Sequence, residues 1–184
     1  MVYKVFLNTN IVLDIFHRDR PFYNDAVQLF YHLDENKFTA FYSESVLTTI
    51  AYVLRKTMKA GEINKAISNL NKKISFLPCY SSLPDKSLLK DPPDFEDCLL
   101  YEIALHHQLD YFITSNTKDF KRIQNSLLWI VNEKAFNKAV GIDSNSPRLK
   151  KKKNLFYFLV NSSNNHITVA PSSAVHGLAS FPKK

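Results

Sequence analysis

The sequence predicts an α/β domain whose central parallel sheet is covered by helices on both faces, and three observations predict it. Short apolar runs of strand character alternate along the chain with longer stretches whose apolar residues recur every three or four positions. That alternation is the pattern of parallel sheets, whose strands are buried on both sides. With 184 residues and 45% hydrophobic content, the chain is globular and long enough to bury one proper core. No apolar run approaches the roughly 18 residues that a membrane span needs. Met1-Val2-Tyr3-Lys4 leads straight into a strand-like segment with no signal-peptide pattern, so a cytoplasmic protein with no membrane association is expected.

Val5-Phe6-Leu7 reads as a short buried strand, and Ile11 to Phe16 as the short helix after it. "RPFYNDAVQLFYHLDENK" is a helix. Pro21 suits its first turn, and Phe22, Ala26, Leu29, Phe30 and Leu33 form its apolar face. "FTAFY" (38–42) is a strand. "SESVLTTIAYVLRKTMKAG" is a helix with Ser43 as cap and Gly61 as stop. Residues 62–73 form another helix, and "ISFLPCY" a strand broken by Pro78. "KDPPDFEDCLLYEIALHHQ" carries the clearest helix signal. Two prolines stop what precedes it, Asp94 is a good N-cap, and Leu99, Leu100, Ile103 and Ala104 make one apolar face. "DYFITS" (110–115) and "LLWIV" (127–131) are strands, and a last helix covers about 132–140.

In such sheets ligands bind beyond the carboxyl ends of the strands, near a switch in strand order. Three segments carry polar groups to that edge: Asn8-Thr9-Asn10 after the first strand, Asp94 to Asp97 at a helix start, and "TSNTKDF" (114–120) after "DYFI". Asp97 and Asp119 have the character of Mg²⁺ ligands, because Mg²⁺ takes hard oxygen donors and keeps several of its waters. Each also has a structural reading. With Asp94 as cap, Asp97 is the third helical residue, where an acid favours the helix dipole. Asp119 and Asn116 suit a turn, and Asn8-Thr9-Asn10 a capped strand-to-helix junction. Asp91 and Glu96 read as solvated. Capping does not exclude metal binding.

The charge is uneven. The net +7 divides into +1 for residues 1–140 (17 basic, 16 acidic) and +6 for residues 141–184 (7 basic, 1 acidic). The basic character therefore belongs to the tail and does not mark a nucleic-acid face on the main domain. Residues 141–184 read as a basic extension, disordered or loosely packed. Lys150–Lys153 followed by Leu155–Val160 allows an RNA-phosphate contact or a membrane-surface patch, and a run of this kind is also what AT-rich read-through encodes. Cys79 and Cys98 have no metal-ligand spacing and fit reduced thiols in apolar surroundings. His106 and His107 close a helix, where partial positive charge is favourable.

In order, "VFLNTNIVLDIF", "RPFYNDAVQLF", "YSESVLTTIAYVLRK", "DFEDCLLYEIALHHQLDYFITSNTKDF" and "NEKAF" resemble a PIN domain, the nuclease fold of VapC-like toxins and related RNA-processing enzymes. The resemblance covers about residues 3–140. It implies a Rossmann-like three-layer sandwich and an endoribonuclease that uses Mg²⁺ or Mn²⁺. It also implies RNA as substrate and, for toxins of type II toxin–antitoxin pairs, a small antitoxin protein that blocks the site. A homodimer is common among such proteins.

Carried over by position, the first acid of the family falls on Asn8, within an expected D-T-N. The acid of the usual T-E pair falls on Thr49, and the acid of the long helix on Asp97, with Asp94 before it. The last acidic position falls on Asn116 or Asp119. Thr9 would support the first ligand, with Asn10 and Thr49 beside it. Glu44 lies more than a helical turn from position 49 and is no substitute.

Asn8 is the more serious departure. An amide oxygen can coordinate Mg²⁺ but brings no charge, and its NH₂ repels a cation. It is a natural degeneration, a substitution selected or engineered because the active form poisons its host, or a change tolerated by an enzyme that relies on Asp94, Asp97 and Asp119. Two functions stand: a metal-dependent endoribonuclease with Asp97, Asp119 and Asn8 in the catalytic site, or a PIN-fold module that binds RNA or an antitoxin without cutting. A phosphoacceptor receiver domain is excluded, because "SFLPCY" and "LLWIV" lack its strand-end Asp and Lys.

Overall fold

The computed structural model describes residues 2–140; the expectations for the basic extension 141–184 lie outside the described residues. The elements run β1 (Tyr3–Leu7), α1 (Thr9–Asp14), α2 (Tyr23–Asp34), β2 (Phe38–Tyr42), α3 (Glu44–Leu54), α4 (Ala60–Asn71), β3 (Ile74–Phe76), α5 (Leu83–Leu88), α6 (Phe95–His106), β4 (Tyr111–Ile113), β5 (Trp129–Val131) and α7 (Glu133–Ala139).

The five strands form one sheet in the order β3-β2-β1-β4-β5, with every pairing parallel. β1 is central: Val5 pairs Ala40 on one side and Tyr111 on the other. Its Val5, Phe6 and Leu7 are fully buried, as the continuous apolar run requires. Phe6 and Phe112 stack across the β1–β4 pair at 5.3 Å. The chain builds outward from β1 to β3, then crosses back to β4 and β5. Right-handed crossovers in opposite directions put their helices on opposite faces, so α1–α4 cover one face and α5–α6 the other. α7 packs on α2 and completes the first layer. The expected three-layer sandwich with a parallel centre is what the chain adopts.

Element boundaries differ from the sequence reading in physically instructive ways. α3 stops at Leu54, and Gly61 lies inside the first turn of α4 instead of ending α3. Nothing lies within 4 Å of where a Cβ at Gly61 would stand, so no close approach requires glycine there. Ser43 occupies the N-cap of α3 but its hydroxyl pairs with Ser45 and does not cap. α5 has no counterpart in the reading above: "LPDKSL" is too short and too polar to show a helical stripe. Cys98 is buried, whereas Cys79 is exposed and not in the apolar setting expected for it. α6 ends at a left-handed residue, Gln108 (φ 54), with the Leu109 N–H returning to the Ala104 carbonyl.

Candidate active site

The site lies where the strand order switches, between the carboxyl ends of β1 and β4. The Asn8 N–H continues the ladder by donating to the Ile113 carbonyl at 3.0 Å, and the Asn8 carbonyl accepts from Ile11 as α1 begins. Asn8 thus follows the last residue of β1 directly and caps α1 at once, and it is buried to 1% exposure.

Its amide is oriented by what surrounds it. Oδ1 accepts from the Thr9 main-chain N–H at 2.6 Å, which turns the NH₂ the other way. That NH₂ donates to Asp97 Oδ1 at 2.8 Å and to Thr114 Oγ1 at 3.1 Å. Asn8 therefore serves Asp97 as a hydrogen-bond donor, and its own oxygen is already engaged. Asp97 is positioned by its helix: Asp94 caps α6 by accepting from the Asp97 N–H at 3.1 Å, as the sequence predicts. Burial raises the Asp97 carboxyl above the ordinary aspartate range. The Asn8 N–H opposes that rise, and Asp94, Glu96 and Asp119 add to it.

Thr114 is the hub. Fully buried at the end of β4, its hydroxyl also accepts from Asn10 Nδ2 at 3.0 Å and from the Asn116 N–H at 3.1 Å. The Ser115 N–H closes the loop by donating to Asn10 Oδ1. Asn116 and Asp119, both exposed, hydrogen-bond each other in the turn that follows.

Glu96 is a correction. Read as solvated, it is half-buried, and its Oε1 accepts from both Thr9 Oγ1 at 3.1 Å and Thr49 Oγ1 at 3.2 Å. Thr49, half a domain away in sequence, thus meets the opening turn of α6 through a carboxylate. No local pattern signals this contact, because Thr9, Thr49 and Glu96 come from three different elements. Glu44 is exposed in the first turn of α3.

The structure thus brings Asn8, Thr9, Asn10, Thr49, Asp94 and Asp97 together with Asn116 and Asp119 along one edge. Among the described residues, Asp94, Glu96, Asp97 and Asp119 have no ion-pair partner, and no three His, Cys, Asp or Glu side chains converge as a ready metal cage. An all-oxygen set with uncompensated negative charge fits Mg²⁺ or Mn²⁺, which needs only one or two carboxylates and keeps water in its other positions. The Asn8 NH₂ facing Asp97 is the element of the set that opposes a cation. No helix among the described residues is long and apolar enough to cross a membrane.

Comparisons with known proteins bear on the family and the fold. The family model for the PIN domain matches residues 4–118. Over 125 residues the chain is 32% identical to Ribonuclease VapC1 of Aquifex aeolicus (strain VF5), covering 64% of this chain and 83% of that protein. Its fold is similar to that in the crystal structure of VapBC2 from Rickettsia felis bound to a DNA fragment from their promoter. The TM-score is 0.55 at 18% identity, over 70% of this chain and 98% of that one.

Proposed function

This chain belongs to the PIN domain family, and from that premise we propose that it is a divalent-metal-dependent endoribonuclease, the toxin of a type II toxin–antitoxin pair. The observation that carries the reading is the gathering of Asp94, Glu96, Asp97 and Asp119, without a basic partner, at the β1–β4 switch point. The 32% identity to a VapC ribonuclease supports it. The partners proposed are RNA and an antitoxin protein that covers the acidic edge; a homodimer and a cytoplasmic location accompany this reading.

Asp97 and Asp119 would hold Mg²⁺ or Mn²⁺, with Asp94 and Asn116 at the rim. When bound, such an ion activates water and stabilises charge developing on a phosphodiester. The chain's own part is positioning. The Asp94 cap fixes Asp97 on the first turn of α6. Thr114 and Asn10 tie the start of the loop after β4 to α1, which holds the segment that carries Asn116 and Asp119 at this edge. Thr9 and Thr49 hold the Glu96 carboxylate against the same edge.

A second reading, a PIN-fold module that binds without cutting, is favoured by one observation: the Asn8 amide donates to the very carboxylate the cation needs. Cleavage of a broad RNA pool with Mg²⁺ or Mn²⁺, comparing the protein with Asn8→Asp and Asp97→Asn, tests both. Cleavage by the protein that Asp97→Asn loses upholds the enzyme. Cleavage by Asn8→Asp alone means a nuclease scaffold silenced at one position. No cleavage by any of them moves the assignment to the binding module.

A further inference from the structure

Away from the proposed site, the first layer buries a second pair of carboxylates. Asp14, the last residue of α1, and Glu133, the first of α7, are both 0% exposed. Asp14 Oδ1 is met by the Arg20 guanidinium, which is itself partly open to solvent. Asp14 Oδ2 and both Glu133 carboxyl oxygens have no hydrogen-bond partner. The two carboxyl groups nevertheless stand within hydrogen-bonding reach of each other. Three buried acceptors with no donor from any other residue is an arrangement that proteins rarely keep, since buried polar atoms are almost always paired.

We propose that the missing donor is a proton held on Glu133, whose O–H donates to the Asp14 carboxylate and fastens α7 to α1. The balance is simple. Glu133 is a neutral acid whose proton bridges the pair, and Arg20 supplies the positive charge beside it. A metal ion is the weaker occupant, because Arg20 already supplies the cation.

The surroundings favour the same assignment. Asp25 on α2 adds negative charge and no donor, and Asn137 of α7 gives its NH₂ to the Asp25 carbonyl instead of to either acid. α3, the other helix packed on α1, carries only Glu44 and Tyr52 as ionisable groups. Burial, followed by Asp14 and Asp25, raises the Glu133 carboxyl to about 7, opposed only by its own main-chain N–H.

The sign of the pH dependence follows. A carboxyl raised on folding holds its proton more tightly in the folded chain. Stability therefore falls as pH rises from the ordinary glutamate range through about 7, then levels off. At most this is about three-hundredfold in the folding equilibrium constant, for a rise from 4.5 to about 7 at tenfold per pH unit.

Denaturant unfolding of the whole protein between pH 5 and 8.5, beside Glu133→Gln, tests this. Gln carries its own N–H donor at every pH. His32 on α2, lowered by burial, adds stability as pH rises in both proteins, so the difference between them is what decides. The expected result is a midpoint in the protein that falls relative to that of Glu133→Gln as pH rises across 6–8. Parallel profiles in the two, or a midpoint that rises relative to Glu133→Gln, overturn the proposal. Should Glu133→Gln not fold, a titration of the unmodified protein labelled with ¹³C at its glutamate carboxyls decides. One resonance with a midpoint near 7 upholds the shared proton, and six glutamates all in the ordinary range overturn it.

Discussion

Acids on the two sides of this molecule are treated in opposite ways. Around the helical layers four acids are given cations: Asp14 pairs with Arg20, Asp34 with Lys73, Glu35 with Lys37, and Glu102 with Lys90. At the carboxyl edge of β1 and β4, Asp94, Glu96, Asp97 and Asp119 receive only neutral donors. These are two asparagine amides, two threonine hydroxyls and one main-chain N–H. The difference teaches what each set is for. A paired acid is a structural device whose loss is felt in stability. An acid held by neutral donors keeps its charge available to whatever enters the site, and its loss should be felt in function.

The sharpest way to break the comparison is to remove a cation from a buried paired acid. Glu102 is 5% exposed at its side chain, and Lys90 also lies 5.7 Å over the Tyr101 ring. Lys90→Met should leave that carboxylate uncompensated and cost about 3 kcal/mol by chemical denaturation, with RNA binding or cleavage by the remaining folded protein unchanged. A loss under half a kcal/mol would mean that the pairing is not what holds Glu102.

Asn8→Asp comes next. It replaces two buried N–H donors with a carboxylate beside an acid already raised by its neighbours, and should destabilise the metal-free protein by about 1–2 kcal/mol. Mn²⁺ should restore that loss and chelator should return it, read as a thermal shift, whereas the unmodified protein should shift much less. Equal shifts in both proteins would show that Asn8 does not limit the site.

Asp97→Asn should do the reverse. The Asn8 N–H keeps an oxygen to donate to, and repulsion from Asp94, Glu96 and Asp119 disappears. The variant should melt at the same temperature or higher while losing whatever cleavage the protein has by a hundredfold or more. Folding favours protonated Asp97, so the metal-free protein loses stability as pH rises past the ordinary aspartate range. Asp97→Asn should remove that part of the profile. The smallest effect belongs to the surface: Asp34→Asn, which breaks a solvent-screened pair with Lys73, should cost less than about 1 kcal/mol.

Most of the fold was legible in local pattern, because parallel strands buried on both faces must be apolar throughout, as "VFL" and "YFI" are. The ends of elements were less so. Gly61 looks like a stop and is a helix interior, since turn and helix signals overlap where two helices follow each other closely. For the site, Asp94 as cap and Asp97 one turn on were readable from spacing. The Asn8–Asp97 bond could be anticipated only from the resemblance and the strand-end rule. Glu96 was misread because its two hydroxyl partners lie 87 and 47 residues away. Thr114 stood in a quoted motif but drew no role, as a lone threonine after a strand gives no sign that three donors will meet it. Buried Glu133 was equally hidden, because an acid at the start of a helix ordinarily faces water and the dipole.

The strand order has a consequence in time. β1 meets β2 through residues close in sequence, such as Tyr3 and Phe38, whereas Asn8 must find Thr114 across 106 residues. Closing a long loop is entropically costlier and slower than closing a short one. The half formed by β1, β2 and β3 is therefore expected to assemble first, and the β1–β4 junction last. Pulse-labelled hydrogen exchange during refolding should protect amides of β2 before those of β4, and simultaneous protection would sink the idea. Any chain that ends before residue 94 has none of the acids of this edge, so the site is confined to a nearly finished molecule.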